Sequence, residues 1–73
     1  MKRATFLQIL EFIYKSEVIT PFELIEQYGY TRGGATSILV HLKRNGLIIN
    51  DRRGEWVITD RGVARLIYYG RIK

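Results

Sequence analysis

The sequence contains no cysteine and only one histidine among its 73 residues. Without cysteine the chain has neither disulfide bonds nor thiolate ligands for a metal, and His41 does not make a metal site by itself. We therefore expect no metal, no cofactor and no small-molecule ligand. The chain also lacks a phosphate-binding glycine loop, and its carboxylates are scattered at helix starts and turns, where capping explains them. An enzyme is accordingly the least favoured class of function.

Long apolar runs are missing as well. No stretch approaches the roughly 18 apolar residues that cross a bilayer, and the N-terminus lacks the layout of a secretory signal. We therefore expect a cytoplasmic protein with no membrane partner. Hydrophobic residues nevertheless make up 47% of the chain, which is too many for a disordered protein. Because 73 residues have room for only one core, residues 1–73 are predicted to form a single domain.

Positive charge is concentrated in the second half of the chain. Residues 1–36 carry four basic and four acidic side chains, whereas residues 37–73 carry eight basic and three acidic ones. The second half therefore holds the whole formal net charge of +5. A basic balance is often just a solvated surface, but its confinement to half of a small domain favours a polyanionic partner.

Two helices are predicted in the first part of the chain. The first runs over residues 3–15, with a buried stripe at helical spacing formed by Phe6, Ile9, Leu10 and Ile13. Thr20 caps the second helix, Pro21 fits its first position, and Glu23 is placed to complete a capping box. Gly29 supplies a left-handed stop after Tyr28. The side chains that this helix is predicted to bury are Leu24, Ile25 and Tyr28.

The third helix opens with two adjacent glycines. Only Gly29 and Tyr30 separate the second helix from Thr31, the cap of the third, so the two helices must cross steeply, as in a helix-turn-helix. The third helix is predicted over residues 32–45, with an apolar stripe of Ala35, Ile38, Leu39 and Leu42. Its other side lacks carboxylates and is predicted to face outward with Gly33, Thr36, Ser37, Val40, His41 and Arg44.

A hairpin and a last helix follow. Val18 to Thr20 is a short β-prone segment, and two further strands are predicted over residues 47–50 and 55–59. The turn between them, residues 51–54, has aspartate first and glycine fourth, with Arg52 and Arg53 at its tip. The last helix is predicted over residues 60–69, with a tail that frays. The inward residues of that helix are expected to be Val63, Leu66 and Ile67.

Residues spaced along nearly the whole chain form a skeleton that supports the predicted order of helices and strands. They are Leu24, Gly29, Leu39, Leu42, Gly46-Leu47-Ile48 and Trp56-Val57-Ile58-Thr59-Asp60-Arg61-Gly62. The skeleton resembles the winged helix-turn-helix domains of small bacterial and archaeal transcription regulators, including the MarR, ArsR and PadR groups. The resemblance implies an α+β, mainly helical fold with a three-helix core, a two-stranded β-wing and a C-terminal helix. It also implies a sequence-specific regulator of transcription that binds double-stranded DNA.

In such proteins the third helix enters the major groove, and the hairpin, called the wing, lies on the backbone or in the adjacent minor groove. Carried over by position, the DNA-binding residues are Arg32, Gly33, Gly34, Thr36, Ser37, Val40, His41, Lys43, Arg44, Arg52 and Arg53. Gly33 and Gly34 let the first helical turn, with its unpaired N–H groups, come close to the DNA backbone or the groove floor. Close packing against the second helix is the alternative explanation for Gly34.

We expect a homodimer, because two copies of so small a unit are needed to read enough base pairs. Leu7, Phe12 and Tyr14 widen the apolar arc of the first helix beyond its buried stripe. This arc and the last helix supply the candidate interface residues Leu7, Phe12, Tyr14, Tyr68 and Tyr69. A monomer whose aromatic residues close its own core is the alternative. A second functional hypothesis is a winged-helix interaction module whose basic surface binds an acidic protein, since the fold alone does not decide the function.

Overall fold

A computed structural model describes residues 5–72, which form four α-helices and a two-stranded antiparallel sheet. The predicted order of these elements and the mainly helical α+β class are confirmed. No helix within residues 5–72 has the length and apolar character needed to cross a membrane. In chain order the elements are α1 (Phe6–Ser16), α2 (Pro21–Tyr28), α3 (Arg32–Arg44), β1 (Ile48–Arg52), β2 (Glu55–Ile58) and α4 (Asp60–Tyr68).

One cluster of buried side chains joins these elements. Trp56 and Ile58 of β2 are partly buried against it, as is Ile38 of α3. Burial of one leucine or isoleucine side chain stabilises a fold by about 1.5–3 kcal/mol relative to its exposure. The apolar stripes predicted for α1 and α3 therefore largely form the core. The buried members of the cluster are Ile9, Leu10, Ile13, Ile19, Leu24, Ala35, Leu39, Leu42, Leu47, Ile48 and Leu66.

The start of α1 differs from the prediction. Thr5 Oγ1 accepts a hydrogen bond from the backbone N of Gln8 at 3.1 Å, and Gln8 Oε1 accepts one from the backbone N of Thr5 at 2.8 Å. This capping box begins the helix at Phe6, whereas the predicted start, Arg3, lies outside the described residues. Phe6 was predicted to be buried and is 49% exposed, because the first helical residue lies beyond the core, which begins at Ile9.

A tight reversal of the backbone joins α1 to the sheet. Glu17 has φ 70° and ψ −51°, and the backbone N of Val18 donates to the carbonyl oxygen of Ser16 at 2.8 Å, which is a strained γ-turn for a residue other than glycine. Ile19 then exchanges two backbone hydrogen bonds with Trp56, at 2.8 and 3.0 Å. The β-prone segment predicted here therefore contributes one antiparallel bridge to β2.

Thr20 and Thr59 both precede helices, but they cap them differently. The capping box predicted for Thr20 is wrong, because the backbone N of Glu23 donates to the Thr20 carbonyl oxygen at 3.1 Å and no side-chain cap bond forms. Thr59 Oγ1, by contrast, accepts from the backbone N of Gly62 at 3.1 Å and donates to the carbonyl oxygen of Gly46 at 2.7 Å. One hydroxyl group thus ties the start of α4 to the turn that follows α3.

We expect Thr59→Ala to lower the free energy of unfolding by about 1–3 kcal/mol, since it removes the cap and leaves the Gly46 carbonyl without this donor. Thr20→Ala removes no side-chain cap bond and is the matched control, with an expected change below about 0.5 kcal/mol. Equilibrium unfolding in urea measures both values. Equal losses in the two variants would contradict the role assigned to the Thr59 hydroxyl.

The hairpin turn is tighter than predicted. β1 extends to Arg52, which pairs with Glu55, so that the turn consists of Arg53 and Gly54 alone. Gly54 has φ +77°, a conformation that favours glycine. The four-residue turn expected over residues 51–54 is wrong because the register shifts between Asn50 and Arg52. The Asn50 side chain stabilises this shift by donating from Nδ2 to the carbonyl oxygens of Arg52 at 2.8 Å and Glu55 at 2.7 Å.

The segment after α4 packs against the protein, so the predicted fraying is wrong for residues 70–72. The backbone N of Arg71 donates to the carbonyl oxygen of Leu66 at 2.9 Å. Its guanidinium lies 3.7 Å from the Glu11 carboxylate, and Ile72 is partly buried against the core. The final residue lies outside the described range. The Arg71–Leu66 bond is local to the end of α4, where Gly70 has φ +72°, whereas residue spacing carries no signal for the Arg71–Glu11 pair because it joins the C-terminal segment to α1.

Candidate nucleic-acid interface

A short turn connects α2 to α3 and fixes where α3 begins. Gly29 has φ 75° and its backbone N donates to the carbonyl oxygen of Ile25 at 2.9 Å. Tyr30 is partly buried against the core. Thr31 Oγ1 then accepts from the backbone N of Gly34 at 3.0 Å. The predicted glycine stop and threonine cap are therefore confirmed, and they leave the first turn of α3 at the protein surface.

The side of α3 that was predicted to face outward is open to solvent. Val40 is partly buried at its margin, while Ala35, Leu39 and Leu42 on the opposite side are buried in the core. The exposed residues are Gly33, Thr36, Ser37, His41 and Arg44. The exposure predicted for this face is thus confirmed apart from Val40, whereas its use in DNA binding stays a prediction.

The two adjacent glycines of α3 differ in their surroundings. A Cβ added to Gly33 would meet no atom within 4 Å, so packing does not account for this glycine. A Cβ added to Gly34 would lie 3.1 Å from Thr31 Oγ1 and 3.9 Å from Tyr30 Cδ1. A side chain at residue 34 would therefore press on the Thr31 cap, and its neighbours are the cap and the turn, not α2 as the alternative interpretation proposed.

The cations of the predicted interface are exposed and have no carboxylate partner in the part of the chain that the structure describes. Within residues 5–72, every ion pair shorter than 4.0 Å involves Glu11, which is bound to Lys15 at 2.9 Å and to Arg71 at 3.7 Å. The side-chain hydrogen bond from Lys15 is the main reason that the pKa of Glu11 lies below its ordinary value. The interface cations that therefore keep an uncompensated positive charge are Arg32, Lys43, Arg44, Arg52 and Arg53.

Arg61 is a cation near this region that was not predicted to belong to the interface. A Cβ on Gly46 would lie 3.4 Å from Arg61 Cδ and 3.8 Å from Arg61 Nη1, so the side chain covers the turn that follows α3. Gly46 itself has φ +75°. The contact arises because α4 packs back against this turn, and residue spacing along the chain carries no signal for it.

A ring contact between α1 and α3 was also missed. The Phe6 and His41 rings are stacked, with centroids 4.6 Å apart and planes that differ by 13°. Phe6 was predicted to be buried in the core and His41 to face outward as a DNA-binding residue, so the two rings were not expected to meet. The contact joins two helices that are distant in sequence, so helical periodicity could not have found it.

The candidate dimer residues of α1 differ in exposure. Leu7 and Phe12 are partly buried against the core, and Phe12 meets Tyr28 edge to face with centroids 5.8 Å apart. Tyr14 is 39% exposed. Phe12 therefore packs against the core of its own copy, as the monomer alternative proposed. Tyr14 lies on the surface.

The outer side of α4 is more exposed than predicted. Tyr68 is 81% and Tyr69 is 53% exposed, and their rings meet edge to face with centroids 5.0 Å apart. Ile67 was predicted to face inward and is 50% exposed. That prediction is wrong because Gly62 and Leu66 occupy the buried side of the helix. The end of α4 thus presents three adjacent large side chains to solvent.

A surface pocket of about 300 Å³ lies between α1, α2 and the C-terminal segment. Its amide and charged side chains already have partners, since Gln8 bonds to Thr5 and Glu11 pairs with Lys15 and Arg71. The pocket therefore offers a ligand few polar groups without a partner. Its lining consists of Gln8, Glu11, Phe12, Lys15, Tyr28 and Arg71.

Comparison with models of known protein families finds no match, and comparisons with curated proteins and with solved structures find none either. The resemblance to winged helix-turn-helix regulators consequently depends on the residue skeleton and on the order of the elements alone.

Proposed function

We propose that the protein is a winged helix-turn-helix transcription regulator that acts in the cytoplasm and binds double-stranded DNA sequence-specifically as a homodimer. In this proposal α3 lies in the major groove, and the β1–β2 hairpin is the wing, on the backbone or in the adjacent minor groove. The observation that carries it is an exposed, carboxylate-free side of α3 whose flanking and hairpin cations have no acidic partner among residues 5–72.

The start of α3 suits a phosphate group. A helix N-terminus carries unpaired N–H groups and the positive end of the helix dipole, which together attract an anion. Thr31 uses one of these N–H groups, that of Gly34. Gly33 has open space around its Cα, so a phosphate or the groove floor can approach the backbone there without meeting a side chain.

The other residues on this side of α3 divide into phosphate contacts and base contacts. Thr36 and Ser37 are short and can donate to phosphates or to base edges, while Val40 can contact a thymine methyl group. Arg44 is long enough to bond a guanine through two hydrogen bonds. Sequence preference is therefore expected to depend on His41 and Arg44, whereas the hairpin arginines supply affinity for any sequence.

Duplex affinity measured against salt concentration tests the proposal. In a plot of the logarithm of the binding constant against the logarithm of salt concentration, each neutralised phosphate is expected to steepen the slope by about 0.9. Sites selected from random oligonucleotides should share a sequence motif. Poly-glutamate is the matched polyanion without bases or phosphates. Absence of duplex binding at low salt, or tighter binding to poly-glutamate than to any duplex, would overturn the proposal and favour the acidic-protein partner.

We expect the homodimer to use the exposed end of α4. Tyr68→Ser with Tyr69→Ser should convert the dimer to a monomer in sedimentation velocity, since large apolar surface left in water favours association. Phe22→Ser removes an aromatic ring of similar exposure, 61%, from α2 and is the control. A monomeric native protein, or a dimer that survives the tyrosine substitutions but not Phe22→Ser, would contradict this interface.

A further inference from the structure

The rings of Phe6 and His41 form a stacked pair on the protein surface. The centroid separation of 4.6 Å and the angle of 13° between the planes are those of a favourable aromatic contact. Phe6 is 49% exposed and His41 is exposed as well. The pair therefore lies outside the core, and the burial of apolar surface in the core does not explain it.

The stack restrains a residue of the proposed DNA-reading face. Phe6 stacks on one face of the exposed His41 ring, and a contact with the face does not occupy the edge of the imidazole, which carries its two nitrogen atoms. In the neutral form that edge offers one donor and one acceptor, and base edges in the major groove present complementary groups. A side chain that is held in place before binding loses less conformational freedom when it binds.

The backbone of His41 is held from a second direction. Asn45 Nδ2 donates to the His41 carbonyl oxygen at 3.0 Å, and the Asn45 backbone N donates to the same oxygen at 3.3 Å. These bonds secure the last turn of α3, so the remaining freedom of His41 is rotation of its side chain. The stacked Phe6 ring stands against that rotation on one face of the imidazole.

On the basis of the proposed function, we infer that Phe6 is a positioning residue for DNA recognition, which holds the edge of His41 toward the major groove. Phe6 is thereby a determinant of sequence preference although it belongs to α1, outside the helix that enters the groove. An interface that worked by positive charge alone would not depend on Phe6, because its side chain is neutral.

The stack is tested first in the free protein. In proton NMR the Phe6 ring current should shift the two carbon-bound protons of the His41 ring, and this shift should vanish in Phe6→Leu and persist in Phe6→Tyr. Phe22→Leu makes the same change at the first turn of α2 and should leave the His41 signals in place. Unchanged His41 signals in Phe6→Leu would overturn the inference.

A double-mutant cycle then measures the effect on binding to the preferred duplex. Phe6→Leu and His41→Ala should each lower affinity by about three- to tenfold, the range expected when one side chain must be ordered on binding, and the double variant should lose no more than the weaker-binding single variant. Phe6→Tyr should restore affinity, and Phe22→Leu should not change it. If the affinity losses of the two single variants add in the double variant while the native protein binds DNA, this inference is wrong and the proposed function stands. If the native protein binds no duplex, both the proposed function and the inference are wrong.

Discussion

Gly62→Ala is expected to destabilise the protein by about 1–3 kcal/mol or more, because the added methyl group enters a space that is already filled. Gly62 is buried in the first turn of α4, and its new Cβ would collide with the carbonyl oxygen of Leu47 and with the side chain of Ile58. The Leu47 oxygen also accepts a hydrogen bond from the backbone N of Thr59 at 3.0 Å, so it cannot move away without weakening that bond. Equilibrium unfolding in urea measures the loss.

This loss is large for so small a protein. Typical stabilities per residue correspond to about 4–11 kcal/mol for a chain of this length, so the variant would lose a substantial part of its margin. A thermal melt followed by circular dichroism should show a lower midpoint with an unchanged spectrum at low temperature. An unaltered midpoint would contradict the close packing of α4 against the segment before β1.

Gly33→Ala is the matched control in α3. Since no atom lies within 4 Å of the new Cβ, the substitution should be tolerated, and alanine in place of a helical glycine should raise stability by about 0.5–1 kcal/mol. A bulkier residue, as in Gly33→Leu, should keep the fold and weaken duplex binding, because its side chain would stand between the helix start and the DNA. Loss of folding in Gly33→Leu would instead support a packing role for this glycine.

Local chemistry accounts for the parts of the fold that the sequence predicted well. Gly29 and Thr31 stop one helix and start the next through backbone geometry and a single hydroxyl, which depend on near neighbours only. The buried stripes of α1 and α3 follow from helical spacing in the same way. Element order could therefore be predicted from the chain, because most of these signals act over a few residues.

Predictions failed where two distant segments meet. Phe6 fits the apolar stripe of α1 but lies at the edge of the core, on the ring of His41. The C-terminal segment was expected to fray, yet Arg71 reaches Glu11 of α1. In the candidate interface, the composition of the exposed face could be predicted, whereas Phe6 and Arg61 were missed because their positions depend on helix packing.

Arg52→Ala combined with Arg53→Ala is expected to weaken binding to all duplexes, preferred or not, and to reduce the log–log salt slope by about 0.9 for each phosphate contact that is lost. Both arginines are exposed, and neither pairs with a carboxylate within the described residues. The tight turn at Arg53 and Gly54 holds the two side chains at the end of the hairpin, where they can contact the backbone or a narrow minor groove. Fluorescence anisotropy over a salt series measures affinity and slope together.

A control for this variant removes the same net charge from outside the proposed interface. Lys15→Ala with Arg65→Ala takes two cations from α1 and α4, so general attraction between a basic protein and DNA falls equally in both double variants. If the hairpin contacts DNA, its variant should lose more affinity and more slope than this control, while its order of preference among duplexes stays the same, because phosphate contacts carry no sequence information. Equal losses in the two variants would mean that Arg52 and Arg53 contribute only through the net charge of the protein. Unchanged affinity in the hairpin variant would mean that the wing does not contact DNA.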